Sequence, residues 1–288
     1  MKKLLILSLI LIYNLSFAGK LNLIASTSII GDIVQNIAGD KANVISIVGP
    51  NQDPHEYELK PSDLVKIEQS QLIFINGLGL EAGWFNQIAK SHANKTILVT
   101  QGLNPLYAKN HQLDPHAWND VMLVRDIYVK NILNALIKID PQNRNYYTHN
   151  AQAYQDKLSK LNQWIITKLS AIPKEDAKAI TTHDAFAYFT KAYPITFISI
   201  QGVSTDSDAS IKDITTLEKL IKQSKVKVVF LENMTNNRLI NQVAQDTHAR
   251  IGGKLYSDAL STSNQPASNY INMMQYNVDT LFKAITTK

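Results

Sequence analysis

A long amphipathic segment in the middle of the chain constrains its fold most strongly. Between residues 142 and 170, apolar and aromatic side chains recur every three or four residues, which is the spacing of one face of an α-helix. They are Tyr147, Ala151, Tyr154, Leu158, Leu161, Ile165 and Leu169. At about 1.5 Å per residue, this predicts one helix on the order of 40 Å long. Such a helix is a stiff connector, so we expect the parts that it joins to move little.

Short β-rich runs alternate with amphipathic runs on both sides of this helix. Before it, the predicted strands are LNLIAS, NVISIVG and LIFING, and the predicted helices are IIGDIVQNIAG and PSDLVKIEQS. After it, the predicted strands are AIT, FISI, VKVVFLE and RIGGKLYS, and the predicted helices are DAFAYFTKAY, SIKDITTLEKLIKQS and NRLINQVAQDTH. This alternation is typical of mostly parallel sheets covered by helices. We therefore predict two α/β lobes, over residues 19–140 and 172–288, with a connecting helix in residues 141–171.

The first residues have the pattern of a cleavable secretory signal. Two lysines precede an apolar run over residues 4–13, and residues 16–18 (SFA) offer a small-residue cleavage site. We assign residues 1–18 to a signal peptide and expect a periplasmic protein. The apolar run is shorter than the roughly 20 residues of a membrane-spanning helix, so we expect no membrane span. The sequence contains no Cys, which argues against a lipidated cysteine, a disulfide and thiolate metal ligands.

The composition argues against one class of partner, nucleic acids. The formal net charge is +5, and the lysines are spread along the chain instead of forming one basic cluster. Nucleic-acid-binding proteins concentrate Lys and Arg on one face, so nucleic acid is not an expected partner. The length allows two domains that each bury a core, and we expect a monomer.

The tripeptide Asp-Pro-His occurs twice, at residues 53–55 and 114–116. Proline fixes its own φ and restricts the preceding residue, so each His lies on a stiff, non-helical corner beside a carboxylate. Such a corner suits a metal-ligating imidazole, with Asp53 and Asp114 as candidate acceptors for the second ring N–H. The alternative is an ordinary turn, because Asp-Pro is also a common turn opener.

Two further candidates directly follow predicted strands of the second lobe. His183 comes after AITT and Asp258 comes after KLYS, where ligands gather in open α/β sheets. Together with His55 and His116 they would give three imidazoles and one carboxylate, a complete tetrahedral shell for Zn²⁺.

Several nearby residues have two interpretations. Asp184 and Glu232 could orient a ligand, or could act at a helix start or as a lobe contact. Trp118 could shield the site from water or be a core residue, and Tyr188 is better explained as core. For His111 an exposed loop position is favoured over a part in metal capture.

Seven segments carry a resemblance to a known family. They are STSIIGDIVQNIAGD, DPHEYELKPSDL, FINGLGLEAGWF, DPHAWND, TTHDAFAYF, VVFLEN and YSDALS. The chain resembles the cluster A-I solute-binding proteins of ABC transporters that import zinc or manganese. The resemblance implies two Rossmann-like lobes joined by one backbone helix, with the metal held between them. It also implies that the ligands are His55, His116, His183 and Asp258, and that the metal is delivered to a membrane permease.

The third ligand position carries most of the metal discrimination in this family. Manganese-type members commonly have Glu there, whereas this chain has His183. Imidazole-rich tetrahedral sites favour Zn²⁺, so we predict Zn²⁺, with Mn²⁺ or mixed binding as the alternative. The alternative stays open because this chain lacks the His-rich loop and the disulfide of many zinc-type members.

Two other functions are compatible with parts of this pattern. A zinc hydrolase would use three His and a metal-bound water, but no HExxH segment is present and Asp258 would fill the fourth position. A surface adhesin on the same scaffold is the other possibility, which the missing lipidation cysteine opposes. We therefore expect a binding protein and not an enzyme.

Overall fold

The computed structural model describes residues 19–85, 91–108, 111–205, 215, 218, 219, 221, 226 and 228–287. The predicted signal peptide lies outside the described residues, as does most of the helix predicted over 210–224. Within the described residues, no helix combines the length and the apolar character that crossing a membrane requires.

The N-terminal lobe is built on a four-stranded parallel sheet with the order β2-β1-β3-β4. The strands are β1 (Leu21–Thr27), β2 (Ala42–Val48), β3 (Leu72–Ile75) and β4 (Thr96–Leu98). The two central strands are the most buried: all four residues of β3 and the last five of β1 are shielded from solvent. Their continuous apolar character follows from this position, because a central strand of a covered sheet is buried on both faces.

Among the described residues, four helices lie in this lobe or in the segment that leads from it to the connecting helix. They are α1 (Ser28–Ala38), α2 (Pro61–Gln69), a short helix (Val121–Leu123) continued by a π-helical stretch (Val124–Tyr128), and α3 (Val129–Ile139). Helix α1 begins directly after β1, where the Thr27 side chain accepts the Ile30 N–H and caps the helix. A helical stretch was expected after His116, without bounds, and the structure places it over residues 121–139.

The C-terminal lobe repeats the arrangement. Its sheet is also four-stranded and parallel, with the order β6-β5-β7-β8. Its elements with described bounds include β5 (Lys178–Thr181), α5 (Ala187–Ala192), β6 (Thr196–Ser199), β7 (Val228–Glu232), α6 (Arg238–Thr247) and β8 (Arg250–Leu255). In both sheets the first strand lies between the second and the third. The α/β class with two Rossmann-like lobes and parallel sheets is therefore confirmed.

Helix α4 (Arg144–Leu169) is the long connector, with 26 residues. Its seven buried residues are the same seven that form the apolar stripe in the sequence. This stripe contacts α1 and α3 of the first lobe and the last helix of the chain. The predicted connecting helix is thus present, and lobe boundaries at residues 140 and 172 remain our proposal.

The last helix, α7 (Tyr270–Thr286), was not predicted from the sequence. It packs on β8 and α4, and its start lies against the N-terminal lobe. There the Tyr270 N–H donates to Asp32 Oδ2 at 2.9 Å, and nearby the Leu260 N–H donates to Ser28 Oγ at 3.0 Å. The chain therefore connects its two lobes a second time, through contacts distant in sequence.

Asp32 links the stability of this contact to pH. Burial raises the pKa of Asp32 to about 6, above its ordinary 3.8. The folded state then holds the proton more tightly than the unfolded state, so this group destabilises the fold increasingly as pH rises from about 4 to about 6. Asp32→Asn keeps an acceptor for the Tyr270 N–H and removes the charge.

We expect Asp32→Asn to stabilise the protein, and the gain to grow by about 2 kcal/mol between about pH 4.5 and about pH 7.5. Urea denaturation of both proteins at the two pH values measures this difference. A gain that is the same at both values would contradict a buried, ionising Asp32.

Candidate metal site

Two loops from each lobe bring the four candidate ligands to the cleft between the lobes. His55 lies in the loop after β2 and His116 in the loop after β4. His183 follows β5, and Asp258 follows β8. All four loops leave the carboxyl ends of parallel strands, which face the same cleft in both sheets.

The ligand atoms are as close as a small cation requires. One atom from each of the four residues can be chosen so that all lie within 4.8 Å of one another. The Asp258 carboxylate lies 3.0 Å from His183 Nε2, 3.5 Å from His116 Nε2 and 3.6 Å from His55 Nε2. A tetrahedral Zn²⁺ site with bonds of about 2.0–2.1 Å has ligand atoms about 3.4 Å apart. The three distances to the carboxylate, two to Oδ2 and one to Oδ1, lie close to this spacing.

The atoms that face the centre are buried and lack hydrogen bonds. His116, His183 and Asp258 have no solvent exposure, and His55 is half-buried. Among the described residues, none provides a hydrogen bond of acceptable geometry to the three Nε2 atoms or to either carboxylate oxygen of Asp258. Buried polar atoms without partners are unfavourable. A divalent cation at the centre would satisfy all of them, so the donor set fits a metal.

The charges at the site are mutually dependent. Burial opposes ionisation of Asp258, but His183 and His116 outweigh it and hold the pKa of this carboxyl well below its usual range. Burial also disfavours a charged His183, but the carboxylates of Glu232 and Asp258 raise the pKa of this imidazole well above its ordinary value. A positive charge is therefore favoured at the centre, either as a proton or as a metal ion.

Carboxylates contact the far side of two imidazoles. Asp114 Oδ1 lies 2.7 Å from His116 Nδ1 and also accepts the His116 backbone N–H at 2.9 Å. Glu232 Oε2 lies 2.6 Å from His183 Nδ1, while Oε1 accepts the N–H groups of Thr182 and His183 at 2.8 and 3.0 Å. In a neutral imidazole such contacts favour the tautomer that carries its proton on Nδ1, which makes Nε2 the atom available to a metal.

The other two residues predicted to support a ligand, Asp53 and Asp184, make a different set of hydrogen bonds. Asp53 Oδ1 accepts the backbone N–H of His55 at 2.8 Å, and Oδ2 accepts the Thr205 hydroxyl from the other lobe at 2.8 Å. The Asp184 backbone N–H donates to the Gly202 carbonyl at 3.0 Å. Their roles as partners of the ligand rings remain predictions.

Aromatic residues connect the two lobes beside the site. Trp118 is completely buried, its ring contacts His116, and its Nε1–H donates to the Ser257 carbonyl at 2.8 Å. The Tyr188 hydroxyl accepts the Leu106 N–H from the other lobe at 2.9 Å. Tyr188, expected as a core residue, is buried but also bridges the lobes. His111 lies on an exposed turn.

Sequence reasoning missed the side chains that fix the ligand loops through the backbone. Trp84 Nε1–H donates to the Pro54 carbonyl, and Asn76 Nδ2–H donates to the Pro115 carbonyl. Asn277 donates to the Tyr256 carbonyl and accepts the Tyr256 N–H. Asn76 directly follows a buried strand, which is the one local signal that could have identified it.

The charge of Glu232 is expected to control metal affinity. In Glu232→Gln, an amide N–H can face His183 Nδ1 and favour the tautomer that carries its proton on Nε2, the atom needed for the metal. We expect the dissociation constant for Zn²⁺ to rise about 10- to 100-fold. Competition against a chromophoric chelator measures it. The exposed Glu175→Gln is the control, and equal affinities of the two variants would contradict this role.

Metal affinity is expected to fall as pH decreases. The raised pKa of His183 means that, below this pKa, the metal-free site carries a proton that the ion must displace. We expect the apparent affinity to fall about tenfold per pH unit for each displaced proton. Zn²⁺ competition titrations between about pH 8 and about pH 5 test this. A constant affinity over this range would exclude a histidine-based site.

Comparison with known proteins identifies a family of metal-binding transport proteins. The family model described as "Zinc-uptake complex component A periplasmic" matches residues 23–284. The metal ABC transporter substrate-binding lipoprotein SloC of Streptococcus mutans is 36% identical over 303 residues, covering 97% of this chain and 99% of SloC. The manganese ABC transporter substrate-binding lipoprotein PsaA of Streptococcus pneumoniae serotype 4 is 36% identical, covering 92% of this chain and 89% of PsaA.

Solved structures show the same fold. The periplasmic zinc binding protein TroA from Treponema pallidum superposes with a TM-score of 0.88 at 31% identity, covering 93% of this chain and 100% of TroA. A Mn-bound periplasmic metal binding protein from Candidatus Liberibacter asiaticus gives a TM-score of 0.81 at 29% identity, covering 91% and 98% of the two chains. The chain belongs to the zinc-uptake complex component A family, the metal substrate-binding proteins of ABC transporters.

Proposed function

We propose that this protein captures Zn²⁺ in the periplasm and delivers it to an ABC permease for import. One observation carries the proposal: three imidazole Nε2 atoms and one carboxylate, buried without other partners, converge within 4.8 Å between the two lobes. In this proposal His55, His116, His183 and Asp258 are the ligands. The ion is cargo, so the site has to hold it tightly, exclude water and release it to a partner.

The donor set favours zinc over manganese. Mn²⁺ prefers carboxylate oxygens and higher coordination, whereas this site offers three nitrogens and a single carboxylate. Glu232 does not add an oxygen to the centre, because Oε1 accepts backbone N–H groups and Oε2 lies 2.6 Å from His183 Nδ1, on the side of the ring away from Nε2. PsaA is named for manganese and TroA for zinc, so relatives of both kinds are similar to this chain. The second candidate is therefore a manganese or mixed Zn²⁺/Mn²⁺ binder, with Asp258 binding through both oxygens.

The chain's own residues explain how an ion would be retained. With an ion bound, Asp114 and Glu232 would keep the remaining ring proton of their histidines on Nδ1 and Nε2 aimed at the centre. Trp118 closes one side of the site, and its hydrogen bond to Ser257 keeps the lobes together. Release to the permease then requires this lobe contact to open.

The hydrolase alternative receives no support from the geometry. Catalytic zinc sites keep one position open for water or substrate. Here Asp258 occupies that position and is completely buried, so we propose no enzymatic activity. An adhesin function likewise has no observation in its favour.

We propose that the protein is secreted by its signal peptide and acts as a free periplasmic monomer. The relatives SloC and PsaA are named lipoproteins. The sequence of this protein contains no Cys to carry such a lipid. Fractionation of cells that express the full chain, with detection of the mature protein in the periplasmic extract, tests this location.

Titration of metal-free protein with Zn²⁺ and Mn²⁺ tests the proposed function, and His183→Glu tests its metal preference. We expect one tight Zn²⁺ per chain and much weaker Mn²⁺ in the wild type. In His183→Glu, an added carboxylate oxygen should shift the ratio of the two affinities toward Mn²⁺ by about tenfold or more. Comparable wild-type affinities would support the mixed binder. An unchanged ratio in the variant would remove the argument for zinc.

A further inference from the structure

Asn76 is a buried residue outside the set of candidate ligands, and all of its polar groups are used. It directly follows β3 and has no solvent exposure. Its backbone N–H donates to Glu81 Oε1 at 2.7 Å, and its carbonyl accepts the Thr100 hydroxyl at 2.5 Å. Its side-chain Oδ1 accepts the Tyr128 hydroxyl at 2.7 Å, and Nδ2–H donates to the Pro115 carbonyl at 2.8 Å.

We propose that Asn76, oriented by Tyr128, is a positioning residue that fixes His116 for metal binding. This inference rests on the proposed function, because it concerns a ligand of the same site. The Pro115 carbonyl belongs to the peptide unit that ends at the nitrogen of His116. Asn76 therefore donates to the oxygen of that peptide, and Asp114 Oδ1 accepts the N–H of the same peptide from His116.

The consequence is that His116 has little freedom left. Its peptide plane is held at both the oxygen and the nitrogen, and its ring Nδ1 contacts the same Asp114 oxygen at 2.7 Å. The proline before it also has a fixed φ. The direction of Nε2 therefore follows from the position of the Asn76 amide.

Tyr128 determines which end of the Asn76 amide faces the ligand loop. A hydroxyl that donates to Oδ1 places the amide nitrogen on the opposite side, toward the Pro115 carbonyl. Tyr128 is the last residue of the π-helical stretch Val124–Tyr128. Such stretches are rare in proteins. Where they occur, they often lie at functional sites, because they displace a side chain from its α-helical position.

Glu81 fixes the backbone from which Asn76 projects. Its two oxygens accept the N–H groups of Asn76 at 2.7 Å and Gly77 at 2.9 Å, and Glu81 is almost completely buried. Gly77 has a positive φ of 76°, a conformation that favours glycine. The turn after β3 is therefore rigid and gives Asn76 a defined position.

The test uses Tyr128→Phe and a matched control, Tyr193→Phe. Both changes keep the ring and remove one tyrosine hydroxyl that donates to an asparagine Oδ1, because Tyr193 donates to Asn162 at 2.9 Å. A general structural effect should therefore be similar in the two variants. Only Tyr128 is connected to His116.

Two readouts distinguish positioning from stability. We expect Tyr128→Phe to raise the Zn²⁺ dissociation constant about tenfold and to change the visible absorption spectrum of the Co²⁺ complex, which reports ligand geometry. Tyr193→Phe should leave both within about twofold of the wild type. If the two variants give the same affinities and the same Co²⁺ spectra, Asn76 does not position His116.

A second variant tests Asn76 itself. Asn76→Asp keeps an acceptor for the Tyr128 hydroxyl but removes the donor to Pro115, so its Zn²⁺ affinity should fall at least as far as that of Tyr128→Phe. If Asn76→Asp does not fold, the comparison of Tyr128→Phe with Tyr193→Phe alone tests the proposal. If the wild type binds neither Zn²⁺ nor Co²⁺, the proposed function and this inference both fail. If the wild type binds and Tyr128→Phe behaves as the control does, only this inference fails.

Discussion

The structure depends on holding unpaired polar atoms together in a buried cleft. Each buried polar group without a partner costs about 1–3 kcal/mol, so the metal-free site is unfavourable unless its loops are fixed by contacts elsewhere. Each of the four ligand loops has such a contact, made to the backbone at the ligand or within the two residues before it. The side chains that make it are Trp84 for His55, Asn76 for His116, Glu232 for His183 and Asn277 for Asp258. All four come from the same lobe as the candidate ligand that they support, so each lobe presents two of the candidate ligands in a fixed position.

The relative position of the lobes is then what completes the site. Helices α4 and α7 both connect the lobes. One continuous apolar core extends from the N-terminal lobe into the C-terminal lobe. Hydrogen bonds across the cleft add to this, including Trp118 to Ser257, Asn119 to Ala185 and Asn51 to Leu260. Because these bonds lie next to the ligands, closing the lobes and assembling the site are one event. Small lobe movements are therefore enough to assemble or open the metal site.

Local patterns predicted much of this molecule, and contacts distant in sequence account for the rest. The stripe of α4, the strands of both sheets other than β4, and the residues at the cleft follow from periodicity and from Asp-Pro-His, which are local signals. Strand β4 (Thr96–Leu98) was not predicted from the sequence. Helix α7 was missed, although it fixes the lobes. Tyr188 was expected in the core, yet its hydroxyl bridges the lobes, because core packing and a polar contact use opposite ends of one tyrosine. The contact of Asn76 with Pro115 could not be predicted from local sequence, because the two residues are brought together only by the fold.

At position 183, the conformation of the loop and the type of side chain facing the metal site are separate properties, because Glu232 contacts the backbone and the imidazole with different oxygens. One oxygen holds the backbone N–H groups of Thr182 and His183, a contact that does not depend on the side chain at position 183. The other contacts the imidazole and does depend on it. A carboxylate at position 183 would keep its backbone position but would lie beside Glu232 and Asp258. Three carboxylates repel one another when no cation is present, so such a site would depend on its metal more strongly than the histidine site does.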